Sequence, residues 1–523
     1  MKLPFLPYNL SRQPDRKHVQ LLVAPDARTG EYWYENLKYW LADPASLYWF
    51  SDWETLPYDQ YTPHPDLVAE RLRVLAELPT RTHGIVIASA AALRQRLCPQ
   101  THLDKYGIHL AVGDRLARDG LIQRLNDAGY QRSAHHISGK GEYAARGNIV
   151  DLYPMNAADP IRLEWFDDQI DSIRTFAVAD QRTLEKRDSI SILPRSELDL
   201  SDAGRTCYRQ NARLHYGEKI VDSPLYRQIS DGQTPQGLEY YLPLFYDDTA
   251  TLFDYLPRNS LHLACDDLPA LLEQHANWCE QRYRRTNPLR ENRLLPPDAL
   301  WLPPADTLAR LAAIPAAPYQ EHATAIAFNG DARAREQQWQ TQIDQGGDLT
   351  LHFPSEGSRE QWQERLGARG LALHYTVSPN RHSFRDGDAV HLAEADLHTT
   401  PVAPNYRQNR SRDPAALIRS LQDLSPGTAV VHADFGVGRY LGLEKLEDDG
   451  DELIAIAYAK GAKLYVPTAD IDLITRYGGS DPDSAPLHEL GGKSWQSARR
   501  KIRASLHDTA AELLALYAKR EAT

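Results

Sequence analysis

The sequence predicts a multidomain protein of the α/β and α+β classes, and three observations carry that prediction. Its 523 residues suffice for roughly three to five domains of ordinary size, each with a core of its own. Near the start, short apolar runs alternate with helical stretches, the pattern of βα units on a parallel sheet. From residue 427 the texture changes to short strands separated by Gly and Asp turns, enough for a small β-barrel.

Residues 1–108 hold VQLLVA, TGEYWYENLKYWL, LVAERLRVLAEL and GIVIAS followed by AALRQRL, which read as the strands and helices of an α/β domain. Residues 109–192 open with a helical stretch near Val112 to Ala128. They continue as short strands of period two from about Asn148 to Val178, and read as an inserted α+β domain. Residues 193–320 mix apolar patches with turn clusters and end in the Pro-rich LLPPDALWLPPADTL, a boundary. Residues 321–402 alternate REQQWQTQI, DLTLHF, REQWQERLGA, LALHYTV and AVHLAE, sufficient for one small α/β domain. A polar linker occupies 403–426 and the barrel 427–480, where ELIAIAYA puts Ile454, Ile456 and Tyr458 on one face and Leu453, Ala455 and Ala457 on the other. Residues 481–523 lead into an amphipathic helix with Ile502, Leu506, Leu513 and Tyr517 at helical spacing.

Composition excludes several classes. With 42% hydrophobic and 25% charged residues and no long apolar run, the chain is expected to be soluble, and MKLPFLPYNLSRQPDRKH lacks the apolar core of an export signal, so the cytoplasm is expected. Cys98, Cys207, Cys265 and Cys279 form no C-x-x-C pair, so neither a disulfide framework nor a thiolate zinc site is indicated. A net charge of -12 argues against tight non-specific nucleic-acid binding, and DNA contact is expected to be weak or absent.

Gly491-Gly492-Lys493-Ser494 imitates the end of a phosphate loop, but Leu487 stands where the first glycine is needed and SDPDSAPLHEL before it is no strand. A turn and helix cap is the expected role. His135-His136 with Glu142 lack metal-ligand spacing, and Asp167-Asp168 and Asp247-Asp248 read as solvated turns. No catalytic or metal-binding residue is assigned. In IRLEWF, alternation puts Ile161, Leu163 and Trp165 on one face and Arg162, Glu164 and Phe166 on the other. Phe166 beside Arg162 either packs against a neighbouring domain or forms an exposed aromatic-plus-arginine patch of hot-spot composition. The barrel carries five Lys or Arg against nine Asp or Glu, which disfavours DNA there, and Leu446 points either into the barrel or onto another protein. In the terminal helix Arg499, Arg500, Lys501 and Arg503 form a basic cluster, read as a solvated face ahead of a DNA site.

Six segments carry a resemblance: DWETLPYD (Asp52 to Asp59), GEYAARGNIVDLYP (Gly141 to Pro154), IRLEWFDDQIDSIRTF (Ile161 to Phe176), HADFGVGRYLGLEKLE (His432 to Glu447), KLYVP (Lys463 to Pro467) and PLHELGGKSW (Pro486 to Trp495). Over nearly its whole length the chain resembles the N-terminal portion of the bacterial transcription-repair coupling factor family. The first three segments are similar to the excision-repair protein UvrB, and the barrel to CarD-type polymerase-binding modules. The resemblance implies a UvrB-like α/β module in two parts, 1–108 and 193–320, interrupted by a UvrA-binding insert whose contacts match Arg146, Arg162 and Phe166. It implies a barrel that grips the RNA polymerase β subunit through Leu446. The whole family member is expected to be an ATP-driven DNA translocase using ATP and Mg in a motor.

For this chain the resemblance therefore implies a monomeric, non-catalytic scaffold without cofactor or membrane, linking RNA polymerase to UvrA, with the motor expected beyond Thr523. A UvrB-like ATPase and a stand-alone CarD-type regulator are the alternatives. Two further departures are expected: no aromatic hairpin fits between Tyr58 and Ser89, and residues 1–17 do not read as a helix, turn and strand.

Overall fold

The computed structural model describes residues 5–13, 17–53, 55–58, 62–133, 137, 139–177, 182–287, 293–346, 348–367, 373–397, 429–432, 436–445, 452–467 and 474–476. Two compact units divide it, Met1–Ala403 and Pro404–Thr523.

The first unit begins with a four-stranded sheet of β1 (Val19–Ala24), β2 (Leu47–Phe50), β3 (Gly84–Ser89) and β12 (Leu261–Ala264), in the order β12-β1-β3-β2. Every pairing is parallel. Because helices cover both sides, β1, β2 and β3 are buried at every position, which is why their sequences run apolar instead of alternating. Leu21, Val23, Phe50, Val86 and Ala88 pack with Leu72 and Leu75 of the helix Pro65–Glu77. Leu22, Trp49, Ile85 and Ile87 pack with Trp33 and Leu37 of the helix Ala27–Trp40. β12 comes from sequence beyond the insert, so the chain leaves this sheet and returns to it. The stretch around it is mostly helical, with Asp202–Tyr216 and Leu268–Thr286 the longest elements.

One expectation at the N-terminus is overturned. Leu6–Ser11 is a helix with Leu6 to Leu10 buried, and it precedes β1 as helix, turn and strand. Six residues with Pro7 in the first turn are too short to display helical periodicity, and burial against the sheet makes the helix, not its propensity. The helix expected near Val112 starts later, at Arg118–Asp127.

The insert is clasped at its neck by β4 (Ile108–Ala111) and β11 (Ser189–Ile192), which pair antiparallel. Between them lies a six-stranded sheet, β10-β9-β8-β7-β6-β5, from β5 (Gln131–Arg132), β6 (Glu142–Arg146), β7 (Ile149–Leu152), β8 (Ile161–Phe166), β9 (Gln169–Phe176) and β10 (Thr183–Arg187). Its inner face, Tyr143, Val150, Leu163, Trp165 and Ile173, closes on Leu121 and Leu125 of the helix Arg118–Asp127. Full burial of each such leucine stabilises by roughly 1.5–3 kcal/mol.

Residues 324–397 form a small α/β body, with strand order β13-β16-β17-β14-β15. These are β13 (Thr324–Ala325), β14 (Asp348–Phe353), β15 (His374–Val377), β16 (Phe384–Asp386) and β17 (Ala389–Ala393). It seats on the N-terminal helix: Tyr8 OH donates to Asp386 at 2.8 Å, and Trp40 packs on His352 and His391.

In the second unit, β18 (Ala429–His432), β19 (Gly436–Lys445), β20 (Glu452–Ala457), β21 (Lys463–Pro467) and β22 (Ile474–Arg476) make an antiparallel sheet, β21-β20-β19-β18-β22. Val430, Tyr440, Ile454, Ile456 and Tyr458 form its core, on the face that alternation assigned to the last three. Gly438 lies so close to β20 that an added Cβ would stand 2.6 Å from Ile456 Cγ2, and Gly442, at φ +126°, carries a register shift in β19. Leu446, the linker, the Gly491–Ser494 turn and the terminal helix lie outside the described residues.

Candidate protein-interaction face

The outer face of the six-stranded sheet gathers the residues singled out in the insert. Register runs Ala144, Asp151, Arg162, Arg174 across β6, β7, β8 and β9 in one row, and Arg146, Ile149, Glu164, Ser172 in the next. Side chains directly across a sheet share a face, so Arg146, Arg162 and Glu164 lie on the same side, opposite the Leu163 and Trp165 core. Phe166 follows on β8 and is 77% exposed: among the described residues no neighbouring domain covers it.

Phe166 is held out on a fixed support. It opens a two-residue turn to Gln169 in which Asp167 takes a left-handed φ of 58°. Asp168 O accepts from Leu116 N at 2.9 Å, and Gln169 Nε2 donates to Gly113 O at 2.8 Å. The neighbouring β6–β7 turn is tied to the same place: Trp165 N donates to Asn148 O at 2.9 Å, Asn148 Nδ2 donates to Trp165 O, and Arg118 donates to Gly147 O.

Arg162 is not a loose cation. Its Nε and Nη2 donate to the two oxygens of Asp151 at 2.7 and 2.9 Å, a bidentate pair, and its guanidinium lies 4.7 Å over the Phe176 ring. The hydrogen bond to Asp151 raises the guanidinium pKa above its ordinary value. Its side chain is 23% exposed, so the patch is an exposed phenylalanine beside a largely covered arginine. Arg174 stands directly opposite Arg162 and donates through Nη2 to Glu164 Oε2 and to Ser172 Oγ. Like charges facing each other across a sheet destabilise it by roughly 0.2–1 kcal/mol, and the two carboxylates offset this. Asp151, Arg174 and Phe176 were missed by sequence reasoning. Alternation along GNIVDL and DSIRTF puts them on this face, but their pairing depends on a register visible only in three dimensions.

The other candidates resolve simply. Asp167-Asp168 is the hairpin turn, and Asp248 Oδ1 accepts from Thr249 N in a second turn. Glu142 accepts from Gly139 N, while His135 and His136 lie outside the described residues. Among the described residues no group of three or more His, Cys, Asp or Glu could hold a metal, and no helix is long and apolar enough to cross a membrane. The four cysteines are free thiols; burial pushes that of Cys279 up to about 12. After β1 the chain turns straight into Ala27–Trp40, whose N-cap Asp26 accepts from Thr29 N at 2.7 Å.

On the second unit, Glu444 of β19 accepts from Lys463 Nζ at 3.0 Å and from Tyr465 OH at 2.8 Å of β21, which lies two strands away. The reach spans β20, where Ala455 and Ala457 are the small residues. The bond to Lys463 holds the Glu444 carboxyl below its ordinary range.

Residues 108–198 match the family described as the UvrB interaction domain, and residues 424–478 match the CarD-like/TRCF RID domain. The transcription-repair-coupling factor of Escherichia coli (strain K12) is 35% identical over 540 residues, covering 96% of this chain. The chain is homologous to transcription-repair-coupling factors. The Haemophilus influenzae coupling factor is also 35% identical, over 97% of this chain, and that of Bacillus subtilis 28% over 88%. The chain spans about half the length of these coupling factors: 47%, 47% and 43%. The outer face of the insert lies wholly within the UvrB interaction match, and β18 to β22 within the RID match.

Proposed function

We propose that this chain is a non-catalytic scaffold for transcription-coupled DNA repair that links the β subunit of stalled RNA polymerase to UvrA. The observation that carries the reading is the presence, in one chain, of a UvrB interaction domain whose outer face holds out Phe166 and of a CarD-like/TRCF RID sheet. UvrA docks through Arg146, Arg162 and Phe166; polymerase docks through Leu446. The protein works as a monomer in the cytoplasm, without cofactor. The ATP-driven translocation expected of the full-length family, with its ATP and Mg, draws on other residues than these.

Two rivals are weaker. A UvrB-like ATPase needs a phosphate cradle at the first strand-to-helix turn, where the Asp26 carboxylate already occupies the helix N-terminus. A stand-alone CarD-type regulator leaves the exposed Phe166 without a role. The test is a bridging assay: immobilised UvrA is expected to retain the isolated polymerase β lobe only when the chain is added. Retention of the lobe without the chain, or capture of one partner that excludes the other, would refute the scaffold.

A further inference from the structure

We propose that Arg174 is a further contact residue of the insert's outer face, acting with Arg162 as one paired-guanidinium element that grips a single carboxylate of the partner. The inference rests on the reading that the face carrying Phe166 takes UvrA. Its origin is the register. Arg162 and Arg174 stand directly opposite each other on β8 and β9, an arrangement the sheet alone disfavours and keeps only with two anions in attendance. Departures from a local rule of this kind concentrate at functional sites.

The anions are placed so as to hold the arginines without coming between them. In the row Asp151, Arg162, Arg174, the carboxylate lies on β7, beyond Arg162 as seen from Arg174. Glu164 serves Arg174 from the adjacent row. Arg162 is fixed by a bidentate bond to a carboxylate that is itself 6% exposed, and by the Phe176 ring under it. Both arginines still reach the surface, at 23% and 31% exposure of their side chains. Nε of Arg174 is shielded from solvent and has no hydrogen-bond partner among the described residues. A donor left in that condition is costly, which marks Arg174 as held in place at some expense to the fold. Two arginines at directly opposite positions of β8 and β9 can each offer a donor to one planar carboxylate, the anion that guanidinium groups bind best. The partner should therefore present an Asp or Glu beside an apolar socket for Phe166.

The experiment measures affinity of the whole 523-residue chain for purified UvrA. Arg174→Gln and Arg162→Gln are each expected to weaken binding about tenfold, and the double variant by little more than the worse single, because both grip the same group. Losses that multiply in the double variant overturn the shared grip. Unchanged affinity in Arg174→Gln overturns the contact role. Since that substitution leaves Glu164 without its cation, Glu164→Gln/Arg174→Gln is measured as well, and full affinity there also overturns the proposal. The salt dependence of binding should become shallower in Arg174→Gln, a change that a merely structural role does not produce. Phe166→Ala separates the two levels. If it binds UvrA like the parent, the face itself is misread; if it weakens binding while Arg174→Gln does not, only the present inference fails.

Discussion

Replacing Phe166 with Ala removes the most exposed large apolar side chain among the described residues of the insert. A phenylalanine buries roughly 200 Å² when fully enclosed, so 77% exposure leaves about 150 Å² still to be covered. At about 25 cal/mol per Å² that is close to 4 kcal/mol if a socket encloses the ring completely. The alanine methyl retains part of this, and ordering of the ring and incomplete enclosure take more. About 2 kcal/mol is left, a factor of about 30 in affinity. The ring touches little of its own fold, so stability should change by less than about 0.5 kcal/mol. Isothermal titration against UvrA, beside thermal unfolding of both proteins, reads the two quantities separately. A loss under about threefold in a variant of parental stability would refute the reasoning, because an anchor carrying this much exposed surface cannot be removed so cheaply.

Other substitutions probe other parts of the molecule. Leu446→Arg is expected to abolish capture of the polymerase β lobe, since it sets a charge into the proposed apolar contact; retained capture by a folded variant counts against the role of Leu446. Gly438→Ala should destabilise the second unit by about 1–3 kcal/mol in denaturant titration, because the new methyl meets Ile456 Cγ2 at 2.6 Å and the Ala457 carbonyl at 2.9 Å. Arg71→Ala should cost the first unit about 3–5 kcal/mol, because it strands Glu197, 4% exposed and bonded through both carboxylate oxygens to the guanidinium. His352 lies buried under Trp40 against His391 and Ser378, and burial, followed by the charge of His391, pushes its pKa down to about 3. Its unfolded value is about 6.5, so the unfolded chain binds more protons between the two values and stability falls as pH falls through that window. From pH 7 to pH 5 this group alone should cost about 2 kcal/mol, and His352→Gln should flatten the measured pH profile by that amount.

The fold was legible where one physical signal dominated. β1 and β3 run apolar at every position because both faces are covered, and that alone points to a parallel sheet with helices on each side. Along β8 the alternation assigned Ile161, Leu163 and Trp165 inward and Phe166 outward, as found. The stretch from 193 to 320 was opaque for the opposite reason. Its aromatic core of Tyr208, Tyr226, Tyr240, Tyr241 and Phe245 joins one long helix, Asp202–Tyr216, to the short helical turns Pro224–Ser230 and Leu238–Phe245, which show no period, and its one strand among the described residues is meaningful only beside β1. The seat of residues 324–397 on the N-terminal helix was equally hidden, because Tyr8 and Asp386 are 378 positions apart. At the candidate site alternation set Phe166 on the face away from the core but left its exposure open. The state of Arg162 was not legible, because the decisive partner, Asp151, sits across a strand register that the sequence leaves open.

Nucleotide binding shows how one residue can separate architecture from activity. A parallel sheet with a helix after its first strand has the layout on which phosphate sites are commonly built, since the backbone N–H groups at the helix N-terminus point at an anion. Such a site needs a long glycine-rich loop between strand and helix. Here β1 ends at Ala24 and the helix starts at Ala27, so only Pro25 and Asp26 intervene, and Pro25 has no N–H to give. Asp26 then takes up one of the remaining donors: its carboxylate accepts from Thr29 N and sets the protein's own charge at the positive end of the helix dipole. An incoming phosphate would meet that carboxylate and a loop too short to wrap it. The sheet thus serves as the body from which the insert is carried at β4 and β11, and the surface proposed to select a partner lies on the insert, where Phe166 and the arginine rows are displayed.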